Sequence, residues 1–454
     1  MTIASEQLKG GTRRRAGSLL AVVVLASAMF IAGGIGLLVR TVPAPAPQVP
    51  AALPPAAPVV GSSSLPVLIS SLQDRLRVLP TDWRSFARLG MAYVQEARIT
   101  ADPTYYTKAE GVLRRSLQIQ PPGNFEALTG LAALAAARHD FAGALSWGEK
   151  AVAANPNNAN AVAVVGDALL ELGRYDEAFA TFQQAVDLKP QLSTYARVSY
   201  AWELQGNFRN AIAAMRLAME AASTGSDMAW AANQLGELYW NSGHPGQAES
   251  YYRQAIARDP AFIPPHAGLA KEKAARGRLS EAIRGYQWVV TRFPLPEYVI
   301  ALGDLQRVAG RREAAARQYA LVEVEEQLFL ANGVNVDLEI ALFDADQSID
   351  LAGGLAAAQA EWGRRHSIHV ADALAWQLHA NRRYKEAMGF ANHALRLGTR
   401  NALFFFHRGM IEKALGRTGA AQRDLARALA INPHFSILWS KLAAQTLAAL
   451  GSAR

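Results

Sequence analysis

From residue 80 onward, apolar and small side chains fall at helical spacing, and the pattern returns about every 34 residues. One pass is plain in residues 161–190, AVAVVGDALLELGRYDEAFATFQQAVDLKP. A first helix carries the small Gly166 and stops at Gly173. A second helix opens at Ala178, keeps Phe182 and Ala185 on one face, and ends at Pro190. The same order returns in Leu235, Gly236, Tyr239, Gly243, Ala248, Tyr252, Ala255 and Pro260, and again in Gly409, Gly416, Ala421, Leu425, Ala428 and Pro433. The small residue opening the second helix stands at 109, 144, 178, 211, 248, 282, 315, 354, 387 and 421, at adjacent spacings of 33 to 39. The pattern therefore predicts about ten helix hairpins.

A lone hairpin cannot bury its apolar face, so the units are predicted to stack as a line. Gly166 and Ala178 are expected to face one another across their helix pair, and Phe182 and Tyr252 to fill seams between units. Three stretches depart from the pattern: 98–107, 222–228, and a lengthened second helix followed by ANGVNVD within 316–345. The segment PHFSILWSKLAAQTLAALG is read as a closing helix, and 67–79 as an opening one.

These motifs resemble the tetratricopeptide repeat (TPR), in which a large residue, Leu-Gly, Tyr, Ala, an aromatic, Ala and Pro recur at fixed offsets. GDALLELGRYDEAF, LPEYVIALGDL and FFFHRGMIEKALG also resemble an uncharacterised group of bacterial TPR proteins. The resemblance covers about 80% of the chain. It implies an all-α TPR α-solenoid of about ten helix-turn-helix units plus capping helices, with no enzymatic activity. It also implies that the first helix of each unit lines a concave surface for protein or peptide partners. The matching positions include Tyr200, Trp230, Asn233, Trp240, Lys271, Arg307, Trp376 and Phe406. Tyr200, Trp230, Asn233 and Trp240 form the expected centre of a peptide groove, because aromatic and amide groups give contact area and hydrogen bonds at low entropic cost. Glu203 and Glu237 at neighbouring positions argue against capture of an acidic C-terminal peptide.

The N-terminal part has another pattern. Residues 18–39, SLLAVVVLASAMFIAGGIGLLV, hold 22 uncharged and mostly apolar residues, enough for one transmembrane helix. Arg13, Arg14 and Arg15 precede it, which predicts a cytoplasmic tail at 1–17 and an extracytoplasmic remainder. Ala28, Ala32 and Gly36 recur every four residues, a spacing that lets two such helices dimerise. Prolines at 43, 45, 47, 50, 54, 55, 58 and 66 make 40–66 an extended spacer before a solenoid over 67–454.

Composition adds mainly exclusions. The net charge is +8, with both signs mixed beyond the N-terminus, so nucleic acid is not an expected partner. Cysteine is absent, which removes disulfides and thiolate metal sites. No phosphate-binding glycine loop, His-Glu-x-x-His motif or nucleophile elbow occurs, and no cofactor is expected. His369, Asp372, Trp376 and His379 share one helix face. Imidazole and carboxylate are metal ligands, but the two histidines are ten residues, about 15 Å, apart on a helix. A second reading is thus an extracytoplasmic small-ligand or metal-binding accessory protein using these C-terminal units.

Overall fold

The computed structural model describes residues 65–452, and every regular element among them is an α-helix. The expected membrane helix, its dimerisation stripe and nearly all of the proline spacer lie outside the described residues. Among the described residues, no helix is long and apolar enough to cross a membrane.

An opening helix, α1 (Leu65–Val78), precedes ten helix pairs. Units 1–5 are α2 (Trp83–Thr100) with α3 (Thr104–Ile119), α4 (Phe125–Ala137) with α5 (Phe141–Ala154), α6 (Ala159–Glu171) with α7 (Tyr175–Leu188), α8 (Leu192–Leu204) with α9 (Phe208–Glu220), and α10 (Gly225–Asn241) with α11 (Pro245–Arg258). Units 6–10 are α12 (Pro264–Ala275) with α13 (Leu279–Arg292), α14 (Pro296–Val308) with α15 (Arg312–Ala331), α16 (Asp337–Gln347) with α17 (Leu351–Arg364), α18 (Ile368–Ala380) with α19 (Tyr384–Ala394), and α20 (Ala402–Ala414) with α21 (Thr418–Ile431). The closing helix is α22 (Trp439–Ser452).

Local chemistry sets the ends of these helices. Asn124, Asp140, Asn158, Asn207 and Asn401 each accept a backbone N–H from the first turn that follows, satisfying a donor the helix leaves open. Within every unit the hairpin turn holds a residue of positive φ: Ala101, His139, Gly173, Gly206, Gly243, Gly277, Gly310, Ser348 (with Asp350), Arg382 and Gly416. The tight reversal needs this left-handed conformation, which explains the preference for glycine there.

The seams follow a wedge rule. Tyr252 of α11 sits between Gly236 of its own unit and Gly268 of the next, where an added Cβ would lie 2.4 and 2.6 Å from its ring. Leu113 does the same between Gly90 and Gly130. The nearest atoms to the space over Gly166 belong to Phe182 and Thr181, not Ala178, so the small residue receives the neighbouring aromatic wedge rather than another small residue. Each such wedge, fully buried, contributes roughly 1.5–3 kcal/mol.

The line of units also winds back onto itself. The hairpin turn of unit 1 packs Ala101 against Leu295, at the start of unit 7. In unit 2, His139 Nδ1 lies 2.6 Å from the Asn335 carbonyl, before unit 8. In unit 3, the Tyr175 hydroxyl accepts from Ile368 N–H at 2.8 Å, at the start of unit 9. In unit 4, the Leu204 carbonyl accepts from the Thr399 hydroxyl, before unit 10. In unit 5, the Trp240 carbonyl accepts from Asn432 at 2.9 Å, before α22. Each hairpin turn thus meets the chain leading into the helix six units later. The superhelix completes one turn in six units, and successive turns touch.

One buried group stands apart. Glu325 in the long helix α15 is 4% exposed, and its Oε2 has no hydrogen-bond partner among the described residues. Burial pushes its carboxyl up to about 9. A carboxylate raised in the folded state favours folding fully below its unfolded pKa and loses that contribution as pH rises through the folded value. Glu325→Leu is therefore expected to stabilise the protein by about 1–4 kcal/mol at pH 9, and much less at pH 5. Urea unfolding at both pH values checks this; an equal effect at each would contradict the carboxylate account.

Candidate functional site

The contact between turns frames a cavity of about 280 Å³ that is open to solvent along one edge. Its first wall is made by α8 and α10, with Tyr200, Glu203, Trp230, Gln234, Glu237, Trp240 and Asn241. The opposite wall comes from the second half of the chain: His369 at the start of α18, residues 399–403 before and into α20, and Asn432 and Phe435 after α21. Asn241 and Arg400 are exposed at its edge, whereas Trp240 and Asn432 are buried.

The polar groups in this cavity differ in their compensation. Glu237 accepts from Lys271 Nζ at 2.7 Å and from the Tyr252 hydroxyl at 2.8 Å. The same ammonium lies 4.9 Å from the centre of the Trp240 ring. Glu203 accepts from the Asn241 amide at 3.0 Å, and no cation among the described residues forms an ion pair with it. Burial pushes the Glu203 carboxyl up to about 7, the Asn241 hydrogen bond opposes this, and the negative charge of Glu237 adds to it. Burial also holds His369 down at about 4, so it is a neutral imidazole at neutral pH. Burial pushes the Tyr200 phenol well above its usual range, so it stays protonated. The site is aromatic and carboxylate-bearing, with one acid already paired and one not.

The sequence-predicted residues divide accordingly. Tyr200, Trp230 and Trp240 meet in the cavity wall. Trp240 is also 5% exposed and packed with Ala248 and Tyr252, so truncating it would damage the core as well as the site. Asn233 is 5% exposed and lies outside the cavity lining. Lys271 stands behind the wall on Glu237, and Arg307 donates to Gln347 at 2.7 Å. Trp376 and Phe406 lie in a core cluster with Leu425 and Ile431, not on an open face. There the Trp376 indole donates to Asp346 at 2.8 Å and stacks between His379 and His407, at 4.7 and 4.2 Å.

The three candidate metal ligands have separate occupations. His369 lines the cavity, the Asp372 carboxylate lies 2.9 and 3.0 Å from His407 Nδ1, and His379 stacks on Trp376. Among the described residues, no group of three His, Cys, Asp or Glu side chains could hold a metal ion.

Of the second wall, sequence reasoning finds only His369, and as a metal-ligand candidate rather than as part of this lining. Thr399, Arg400, Asn401, Asn432 and Phe435 are some 200 positions from α8 and α10, and no local periodicity joins them. The available signal was the atypical RLGTRN turn, where Gly398 adopts φ 76° and the chain is reshaped to meet Gly206.

Tetratricopeptide repeat family models match residues 106–159, 135–199 and 231–262. Among solved structures, a thermophilic TPR protein of Thermus thermophilus is 22% identical, covering 42% of this chain and 98% of its own, with a TM-score of 0.37. Two crystal structures of MamA are 21% identical and cover 36% and 37% of this chain and 94% and 91% of theirs, each with a TM-score of 0.29. No curated protein matches the sequence. The family matches fall on units whose helix pair and left-handed turn recur ten times, and the chain carries tetratricopeptide repeats within this all-α solenoid.

Proposed function

We propose that this protein is a membrane-anchored scaffold that holds a partner polypeptide in the cavity between its superhelical turns. The repeat architecture is that of a protein–protein interaction scaffold. The observation that carries the finer reading is the cavity itself: three aromatic side chains and two carboxylates converge there from two first helices, under a second wall. Its volume suits one or two side chains of an inserted segment, being at the lower edge of what whole small ligands occupy. Aromatic walls with a few placed polar groups are the composition of binding hot spots. Residues 18–39 supply the anchor and 40–66 the reach, placing the solenoid outside the cytoplasm.

Photocrosslinking tests the site. The full chain in its membrane, with Trp230 replaced by p-benzoylphenylalanine, is expected to trap discrete polypeptide partners. The same replacement at Val324, 64% exposed on α15, is not. Identical adducts at both positions, or none at Trp230, would refute the cavity as the binding site. Fractionation tests the anchor: the full chain is expected to resist alkaline extraction from membranes, and a chain starting at residue 41 to be released.

A further inference from the structure

We infer that the cavity between the turns receives the cationic side chain of a lysine or arginine carried by the partner segment. The inference rests on the binding-site reading above and names what that site recognises.

Three observations converge. First, Glu203 and Glu237 both face the cavity, yet among the described residues only Glu237 has a cation, Lys271 at 2.7 Å. Glu203 has the Asn241 amide, a neutral donor. Glu203 is half-buried, and a partly desolvated acid without a countercharge carries a cost that an incoming cation offsets. Second, Tyr200, Trp230 and Trp240 line the same cavity as the two acids, and a cation against an aromatic face gains further attraction. Third, the molecule contains its own template for this arrangement. The Lys271 ammonium sits on Glu237 at 2.7 Å while lying 4.9 Å from the Trp240 ring centre. A partner ammonium on Glu203 would repeat that arrangement one helix away.

The other charged groups leave room for it. From α8 come Tyr200 and Glu203, from α10 Glu237, and from α12 Lys271, already paired. From α18 comes His369, held neutral by burial. Arg400 stands at the exposed edge, its guanidinium 5.9 Å from the Phe208 ring centre. The proton on Glu203, held up to about 7 by burial, is the alternative to a bound cation. Cation binding near neutral pH therefore displaces it, and affinity falls as pH is lowered.

The test is calorimetry on the full chain in detergent, with acetylated and amidated pentapeptides Ala-Ala-X-Ala-Ala. The lysine peptide is expected to bind at least about tenfold more tightly than the norleucine peptide, which keeps the chain length and drops the charge. Binding is expected to release protons at pH 6.5. Glu203→Gln, which preserves the shape and the contact with Asn241, is expected to remove the preference. Equal affinity for lysine and norleucine peptides on the unaltered protein overturns the inference, while leaving the crosslinking result as the separate judge of the site. Butylammonium binding as tightly as the lysine peptide would make this a small-amine site and overturn the partner assignment. A preference that survives Glu203→Gln also overturns it.

Discussion

Replacing Arg365 by methionine is expected to lower the stability of the protein by about 3–5 kcal/mol. Arg365 is 1% exposed at the junction between units 8 and 9. Its guanidinium donates to Glu171 of unit 3 at 2.5 Å and to Glu361 of its own unit boundary. It also lies 4.7 Å from the centre of the Phe141 ring in unit 2. The group therefore ties the second superhelical turn to the first across 194 positions of sequence. Burial pushes Glu171 up, and Arg365 opposes that rise. Burial likewise lifts Glu339 nearby to about 7 although Arg365 pulls it down. Methionine fills the volume but strands Glu171 and removes the cation that opposes the rise of Glu339, while Glu361 keeps Arg364; the uncompensated charge is the source of the loss. Denaturant unfolding at pH 8 measures it. Adding Glu171→Gln to the methionine variant should recover part of the loss, because one of the stranded charges is then removed. A single variant within about 0.5 kcal/mol of the parent would mean that the turns do not close through this cluster.

The second prediction separates the local conformation of a turn from its contact with the next superhelical turn. Gly173, Gly206 and Gly243 are left-handed, and an added Cβ would lie 2.4, 2.4 and 2.3 Å from the carbonyl oxygens of His366, Gly398 and Ile431. Gly277, Gly310 and Gly416 have the same handedness, with φ of 75°, 76° and 73°, but among the described residues no side chain or backbone beyond their own neighbours stands within 4 Å of an added Cβ. Alanine at any of the six carries the cost of a left-handed residue, roughly 1–2 kcal/mol. At the first three it must also push two backbones apart, costing about 1–3 kcal/mol more. Gly243→Ala is thus expected to be clearly less stable than Gly416→Ala, and to increase the radius of gyration in small-angle scattering as the turns part. If all six variants lose the same stability and keep the same radius, the contacts between turns are not formed in solution.

The same six-unit winding explains why the proposed binding site has a second wall facing the first. Tyr200 and Trp230 occupy first-helix positions, as the repeat register requires, but Phe435 and Asn432 cover them from units a full superhelical turn away. The two stability predictions therefore bear on binding as well. A variant that parts the turns removes one wall of the site without touching the aromatic side chains of the other.

The unit itself was legible in the sequence. A glycine in the first helix of seven units, a small residue opening the second helix and, in most units, a large one three to four positions later are local features of a packed hairpin, and they recur because the units solve the same problem. The ten units, the long second helix α15, the opening helix α1 and the closing helix α22 all follow from that pattern. Half of the cavity lining was legible too, since Tyr200, Trp230 and Trp240 needed only the register of α8 and α10. What the pattern could not contain was the pitch of the superhelix, because small rotations between neighbouring units add up over six of them before any contact reveals their sum. That sum decides whether Gly173 meets solvent or the His366 carbonyl, and whether Trp376 and Phe406 line a concave face or lie in a core. It also decides whether Glu203 opens to water or lies under a second wall. Tertiary structure alone set these outcomes, because each depends on groups far apart in sequence that only the accumulated rotation brings together.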